Sequence, residues 1–176
     1  MSIKALRMQI NHNEWDKYFI TLAYLISMKS KDPSTRVGAV IVDKDNIIRS
    51  TGYNGLPRGV YDHSHRYINK DYKYNACNHA EENAILHCAR IGISTANCII
   101  YATWHPCAFC TKSIIQAGIS EIVFHEEFPG NYNSEKWAGS IEIAKEMLTE
   151  AGVAIRSFSG KILKITGLYN SKNFSP

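Results

Sequence analysis

The sequence predicts an α/β fold, a three-layer α-β-α sandwich around a mixed five-stranded sheet. Two observations carry this expectation. In the first half, two apolar runs flank a short polar turn and read as an antiparallel hairpin. In the second half, strand, helix, strand, helix and strand follow in order, which implies parallel crossovers. The 176 residues, 45% hydrophobic and 20% charged, suit a single domain over 1–176 with a substantial core.

Each element has its own signal. Over residues 14–30, Trp15, Tyr18, Phe19, Leu22, Leu25 and Ile26 recur three or four apart, a helical stripe that Asp32 and Pro33 end. VGAVIVD at 37–43 is β-branched and apolar, a buried strand; Lys44, Asp45 and Asn46 form the turn and IIRSTGYN at 47–54 the return strand. Residues 55–76, rich in Gly, Tyr, Asn and Asp without a period, read as a long loop of the kind that often carries function. A helix runs from about Asn78 to a stop at Gly92. CIIYAT at 98–103 is a strand, and PCAFCTKSIIQAG at 106–118 is a helix with proline in its first turn and glycine at its end. EIVFHE at 121–126 is a strand, residues 134–151 an amphipathic helix closed by Gly152, and VAIRSF at 153–158 a fifth strand. The tail 159–176 is ambiguous, and KILKITG reads either as a strand or as a segment lying on a partner.

Composition narrows the function classes. No apolar run reaches the length of a membrane span, and the first residues lack the apolar stretch of a secretory signal, so a cytoplasmic location is expected. The formal charge of +4 suits a small anionic substrate and is also ordinary for a soluble domain. No basic run suggests a polynucleotide track, so nucleic acid is not an expected partner. Five cysteines, an odd number, argue against a disulfide framework.

The chemistry sits in two fragments, His79-Ala80-Glu81 and Pro106-Cys107-Ala108-Phe109-Cys110, each opening a predicted helix. There the helix dipole and free N–H groups favour negative charge, and zinc needs its sulfur ligands deprotonated. One imidazole and two thiolates make three ligands, whereas a structural zinc usually takes four. The remaining position suits a water, whose pKa zinc lowers from ~15.7 to about 7. Glu81 follows His79 closely enough to reach that water without ligating the metal, acting first as general base and then as general acid. Taken alone, an H-A-E is most often a surface accident, and a C-x-x-C is either a metal clamp or a redox pair. In this order they make the H-x-E…P-C-x-x-C signature of zinc-dependent nucleobase deaminases. A thioredoxin-like reading leaves His79 and Glu81 without a role.

The chain resembles the deoxycytidylate deaminases of the cytidine deaminase superfamily. The resemblance lies in SKDPSTRVGAVIV at 30–42, TGYNGLPRG at 51–59, HAEENAIL at 79–86 and YATWHPCAFCTKSIIQAGI at 101–119. It implies a cytidine deaminase-like fold and hydrolytic deamination of dCMP to dUMP. It makes Glu81 the proton shuttle and His79, Cys107 and Cys110 the zinc ligands. The Ala80 N–H would meet the cytosine carbonyl oxygen, Asn54 the sugar and base, and Lys31, Ser34, Thr35 and Arg36 the 5′-phosphate. The segment Gly52, Tyr53, Asn54 and Gly55 would bind a triphosphate effector, dCTP activating and dTTP inhibiting, with Mg2+, in a homohexamer. Trp104-His105 stands where the family more often carries a Leu-Phe pair. Trp104 is therefore a candidate to pack the base and equally a core tryptophan beside a strand end.

Rival readings place the same chemistry on dCTP, a free nucleoside, an adenine or a base in single-stranded nucleic acid. Others make the chain an inactive zinc- and nucleotide-binding module or a structural zinc domain. His63, His65, Cys77 and His87 are candidates for a second zinc or simple loop and helix-surface residues, and Cys88 and Cys98 read as buried small hydrophobes. Tyr61, Tyr67, Tyr72 and Tyr74 read as an interface, or else a lid.

Overall fold

The computed structural model describes residues 3–129, 135–164, 167–169 and 172–174, with side chains from residue 13 to 164 outside 130–134. Strands β1 (Gly38–Val42), β2 (Ile48–Tyr53), β3 (Ile99–Ala102), β4 (Glu121–His125) and β5 (Ala154–Phe158) form the sheet in the order β2-β1-β3-β4-β5. The β1 strand runs antiparallel to both β2 and β3, whereas β3, β4 and β5 are parallel. The mixed five-stranded sheet of the sequence expectation is therefore present, in the expected order of elements.

Alternation along the central strands divides the core. Val40, Val42, Tyr101 and Val123 point to one face, against Phe19, Ile20 and Ala23 of α1 (Ile3–Ser27). Ala39, Ile41, Ile100, Ala102 and Ile122 point to the other, against α4 (Ala80–Ile91), α5 (Ala108–Gln116) and α6 (Glu135–Ala151). Two glycines let both layers close on the hairpin. A Cβ on Gly38 would lie 1.9 Å from the Ala23 carbonyl oxygen, and one on Gly52 would lie 2.2 Å from that of Ala80. Such contacts forbid any side chain.

Three expectations change. The face of α1 that packs on the sheet is Asp16, Phe19, Ile20 and Ala23, while Trp15, Tyr18 and Leu25 of the expected stripe stay substantially exposed. Tyr101 explains the shift, because its hydroxyl donates to Asp16 Oδ1 at 2.9 Å and its ring packs on Phe19. The expected loop at 55–76 contains two short helices, α2 (His65–Ile68) and α3 (Lys70–Ala76). At one and two turns they are too short to show a period; a local signal is Asn69, whose side chain accepts from the Tyr72 N–H and caps α3. In the tail, residues 161–164 are not a strand, and the Leu163 N–H donates to Thr21 Oγ1 of α1. A small hairpin of β6 (Gly167–Tyr169) and β7 (Lys172–Phe174) follows, while 165–166 lie outside the described residues. No helix among the described residues is long and apolar enough to cross a membrane.

Candidate active site

Helices α4 and α5 begin side by side on the same face of the sheet, and each begins with a residue of the predicted triad. His79 is the N-cap of α4 (φ −76°, ψ 165°) and Cys107 the N-cap of α5 (φ −80°, ψ 169°). Neither side chain makes a capping hydrogen bond, so both are free to point at a shared centre. His79 Nδ1 lies 3.5 Å from Cys107 Sγ and 3.3 Å from Cys110 Sγ, and the three ligand atoms all fall within 4.8 Å of one another. Tetrahedral zinc with ordinary Zn–N and Zn–S lengths sets such atoms about 3.6 Å apart. The donor set and its spacing therefore fit zinc.

The electrostatics agree with a metal centre. Cys107 is pulled down to about 4, chiefly by a hydrogen bond from the Cys110 thiol and also by His79, with burial opposing. Cys110 moves up, because it holds the proton the two sulfurs share and is buried. His79 is raised to about 9, first by its hydrogen bond to Cys107. The imidazole and the sulfurs thus already form a charged cluster, and metal binding releases its protons. Glu81, in the first turn of α4, is only 4% exposed and is pushed up to about 7 by burial, with His79 pulling the other way. A carboxyl poised near neutrality is suited to both halves of a proton transfer.

A cleft opens beside the triad, lined by Glu81, Ala80, Asn54, Trp104, Trp137 and Tyr74 among others. Trp104 stacks on Phe128 with ring centroids 5.3 Å apart and meets Trp137 edge-on at 5.9 Å. Trp104 lines the cleft and also packs against the core cluster. Asn54 lines the cleft, but its side chain is largely committed. Its Nδ2 donates to Asp32 Oδ2 and to the Thr35 carbonyl oxygen, and its Oδ1 accepts from the Val37 N–H. Of the four expected phosphate contacts, Ser34 and Thr35 reach the cleft. Lys31 and Arg36 are not among its lining: Lys31 pairs with Asp62, and Arg36 Nε donates to the Asp32 carbonyl oxygen. In the expected effector segment, Gly52 is buried under α4, Tyr53 is part-exposed and Gly55 pairs with Asn78.

Sequence reasoning missed Lys73, gave Tyr74 only an interface or lid role, and missed Trp137. The first two fall in α3, read as loop, and Trp137 lies on α6, which the motifs do not reach. A lysine-tyrosine pair a few residues before the H-A-E is an available but weak signal. The second-zinc residues are not brought together. His63 and His65 face each other, their Nδ1 atoms 2.9 Å apart, but His87 bonds the Thr51 carbonyl oxygen and Cys77 lies at the cleft. His79, Cys107 and Cys110 are the sole group of three or more metal-ligating side chains among the described residues. Cys88 and Cys98 are buried as expected. The tyrosines do not act as one unit, since Tyr67 is buried and donates to Asp62 while Tyr61 is exposed.

Comparison with known proteins agrees with this geometry. The cytidine and deoxycytidylate deaminase zinc-binding region matches residues 13–126. Deoxycytidylate deaminases of Mus musculus and Homo sapiens are each 37% identical to the chain over 183 aligned positions, covering 100% of it and 97% of each relative. The dCMP deaminase of cyanophage S-TIM5, crystallised in complex with dCMP and dUMP, superposes with a TM-score of 0.64 at 25% identity, covering 82% of this chain and 96% of that one. The chain therefore belongs to the cytidine and deoxycytidylate deaminase zinc-binding family, as a zinc-dependent deaminase homologous to the deoxycytidylate deaminases.

Proposed function

We propose that the protein hydrolyses dCMP to dUMP and ammonia. The observation that carries this reading is the buried Glu81 carboxyl beside the His79–Cys107–Cys110 triangle, inside an aromatic-walled cleft. Zinc, held by those three side chains, supplies Lewis acidity that brings the pKa of water to about 7. Glu81 takes a proton from the attacking water and delivers it to N3 of the cytosine ring. Hydroxide adds to C4; Glu81 then takes the proton of the new C4 hydroxyl and passes it to the amino group, and ammonia leaves as the C4–N bond breaks and the C4 carbonyl forms. The Ala80 N–H holds the cytosine carbonyl oxygen, and Trp104 and Trp137 pack against the flat base. Asn54 meets the sugar through the remaining lone pair of Oδ1, its amide hydrogens being spent on Asp32 and Thr35.

The reading extends to a cytoplasmic homohexamer controlled by dCTP and dTTP with Mg2+, supported by the family resemblance. Within the effector segment, Tyr53 is the residue whose side chain is available for a ligand, because Gly52 is covered by α4. One experiment tests the whole: ammonia release from dCMP, dCTP, deoxycytidine and single-stranded DNA, each with and without dTTP. The expected order has dCMP fastest and slowed by dTTP. A preference for deoxycytidine or single-stranded DNA overturns the substrate assignment, and indifference to dTTP removes the regulatory part.

A further inference from the structure

We propose that Trp137 and Phe109 are positioning residues of the metal centre, two aromatic rings from different helices that set the angle of the His79 imidazole in place of the outer hydrogen bond a metal-bound histidine ordinarily makes. The inference deepens the deaminase reading at its metal, and its test reads zinc rather than dCMP, so the two can fail separately.

A ligating imidazole gives one nitrogen to the metal and the other to a carboxylate, carbonyl or water that fixes its tilt. In His79 the ligating nitrogen is Nδ1, the atom that faces both sulfurs. Its Nε2 makes no hydrogen bond among the described residues. Rings stand near it instead. The Trp137 centroid lies 6.1 Å from that of His79 at an interplanar angle of 74°, and the Phe109 centroid 6.5 Å at 63°. Both are edge-to-face contacts inside the favourable range of roughly 4.5–7 Å. Phe109 sits between the two cysteines of the C-x-x-C, and Trp137 in the first turn of α6. Trp137 is itself held, since Trp104 meets it edge-on at 5.9 Å and Lys136 Nζ lies 5.5 Å from its ring centroid. One turn further along the same face, Ser140 Oγ accepts from the Ala108 N–H beside Cys107, and Ile141 lines the cleft. Helix α6 thus touches both ends of the triad, the sulfurs through Ser140 and the imidazole through Trp137. It lies beyond residues 13–126, so the brace is added to the family's zinc-binding region from outside it.

The test measures zinc affinity of the full chain by chelator competition without nucleotide, together with the visible absorption of the Co2+-loaded protein. Trp137→Leu keeps apolar bulk and removes the ring. It is expected to bind zinc about tenfold more weakly and to shift the Co2+ bands. Phe109→Leu should weaken zinc severalfold, Trp137→Phe should restore most of the affinity, and Ile143→Ala, exposed on the same helix, should match wild type. A tryptophan that served only the substrate would change KM for dCMP and leave zinc alone, so equal zinc affinity in Trp137→Leu overturns the proposal. A loss that Trp137→Phe does not relieve, or that Ile143→Ala shares, overturns it as well. Should Trp137→Leu fail to fold, Phe109→Leu decides: weaker zinc supports the brace, and wild-type affinity overturns it.

Discussion

Helices α4 and α5 start alike and are finished differently. Both begin at a metal-ligand N-cap in extended conformation whose side chain is withheld from capping. Such an arrangement leaves the first amides of each helix in need of other partners. At α5 the need is met from within, because the Ala108 N–H donates to Ser140 Oγ of α6 at 3.0 Å. At α4, Ala80 lines the cleft and its N–H has no partner among the described residues. One helix start is therefore built to hold the two sulfurs in place, and the other to hold the imidazole while offering an amide and the Glu81 carboxyl to a ligand.

Substitutions at the two ends should separate accordingly. The largest effect is expected at the open end: Glu81→Gln should lower kcat by about 10²–10⁴, the usual weight of a general acid-base residue, with zinc content unchanged by metal analysis. Full activity, or loss of the metal, would defeat the distinction drawn between ligand and proton carrier. Next is Ala80→Pro, which deletes that amide. Proline is tolerated at the first helical position, and the extended backbone of His79 suits a following proline. The circular dichroism spectrum should stay native while kcat/KM on dCMP drops about tenfold or more. A native-like variant with wild-type kinetics would show that the amide receives nothing. The smallest effect belongs to the closed end. Ser140→Ala should cost about 1 kcal/mol in the unfolding free energy, as loss of a cap does, and weaken zinc retention against a chelator while kcat of the loaded enzyme holds. Equal melting and equal zinc retention would mean that Ser140 does not brace the sulfur end.

The same contrast separates what is legible in the sequence from what is not. The two metal-ligand fragments can be read because their residue types are demanded by chemistry and because each sits at a local boundary, a loop or strand passing into a helix. The sheet is legible because its central strands, GAVIV and IIYA, are too apolar to be anything but buried. By contrast, α2 and α3 carry no period in so few residues. The buried face of α1 escapes an apolar periodicity because it includes a charged residue, Asp16, that Arg156 and Tyr101 compensate from distant strands. Lys31 and Arg36 are held off the cleft by Asp62 and the Asp32 carbonyl oxygen, pairings that no local pattern in the sequence announces.

By itself the sequence determined which side chains can hold a metal and move a proton, and the strand and helix order that carries them, since these depend on residue type and short-range pattern. Only the tertiary structure decided which cations face the cleft, that Asn54 spends its amide on Asp32 and Thr35, and that Ser140 closes one helix while the other stays open. Those assignments rest on contacts between residues far apart in the chain, and each is a competition among donors and acceptors that is settled when the layers pack.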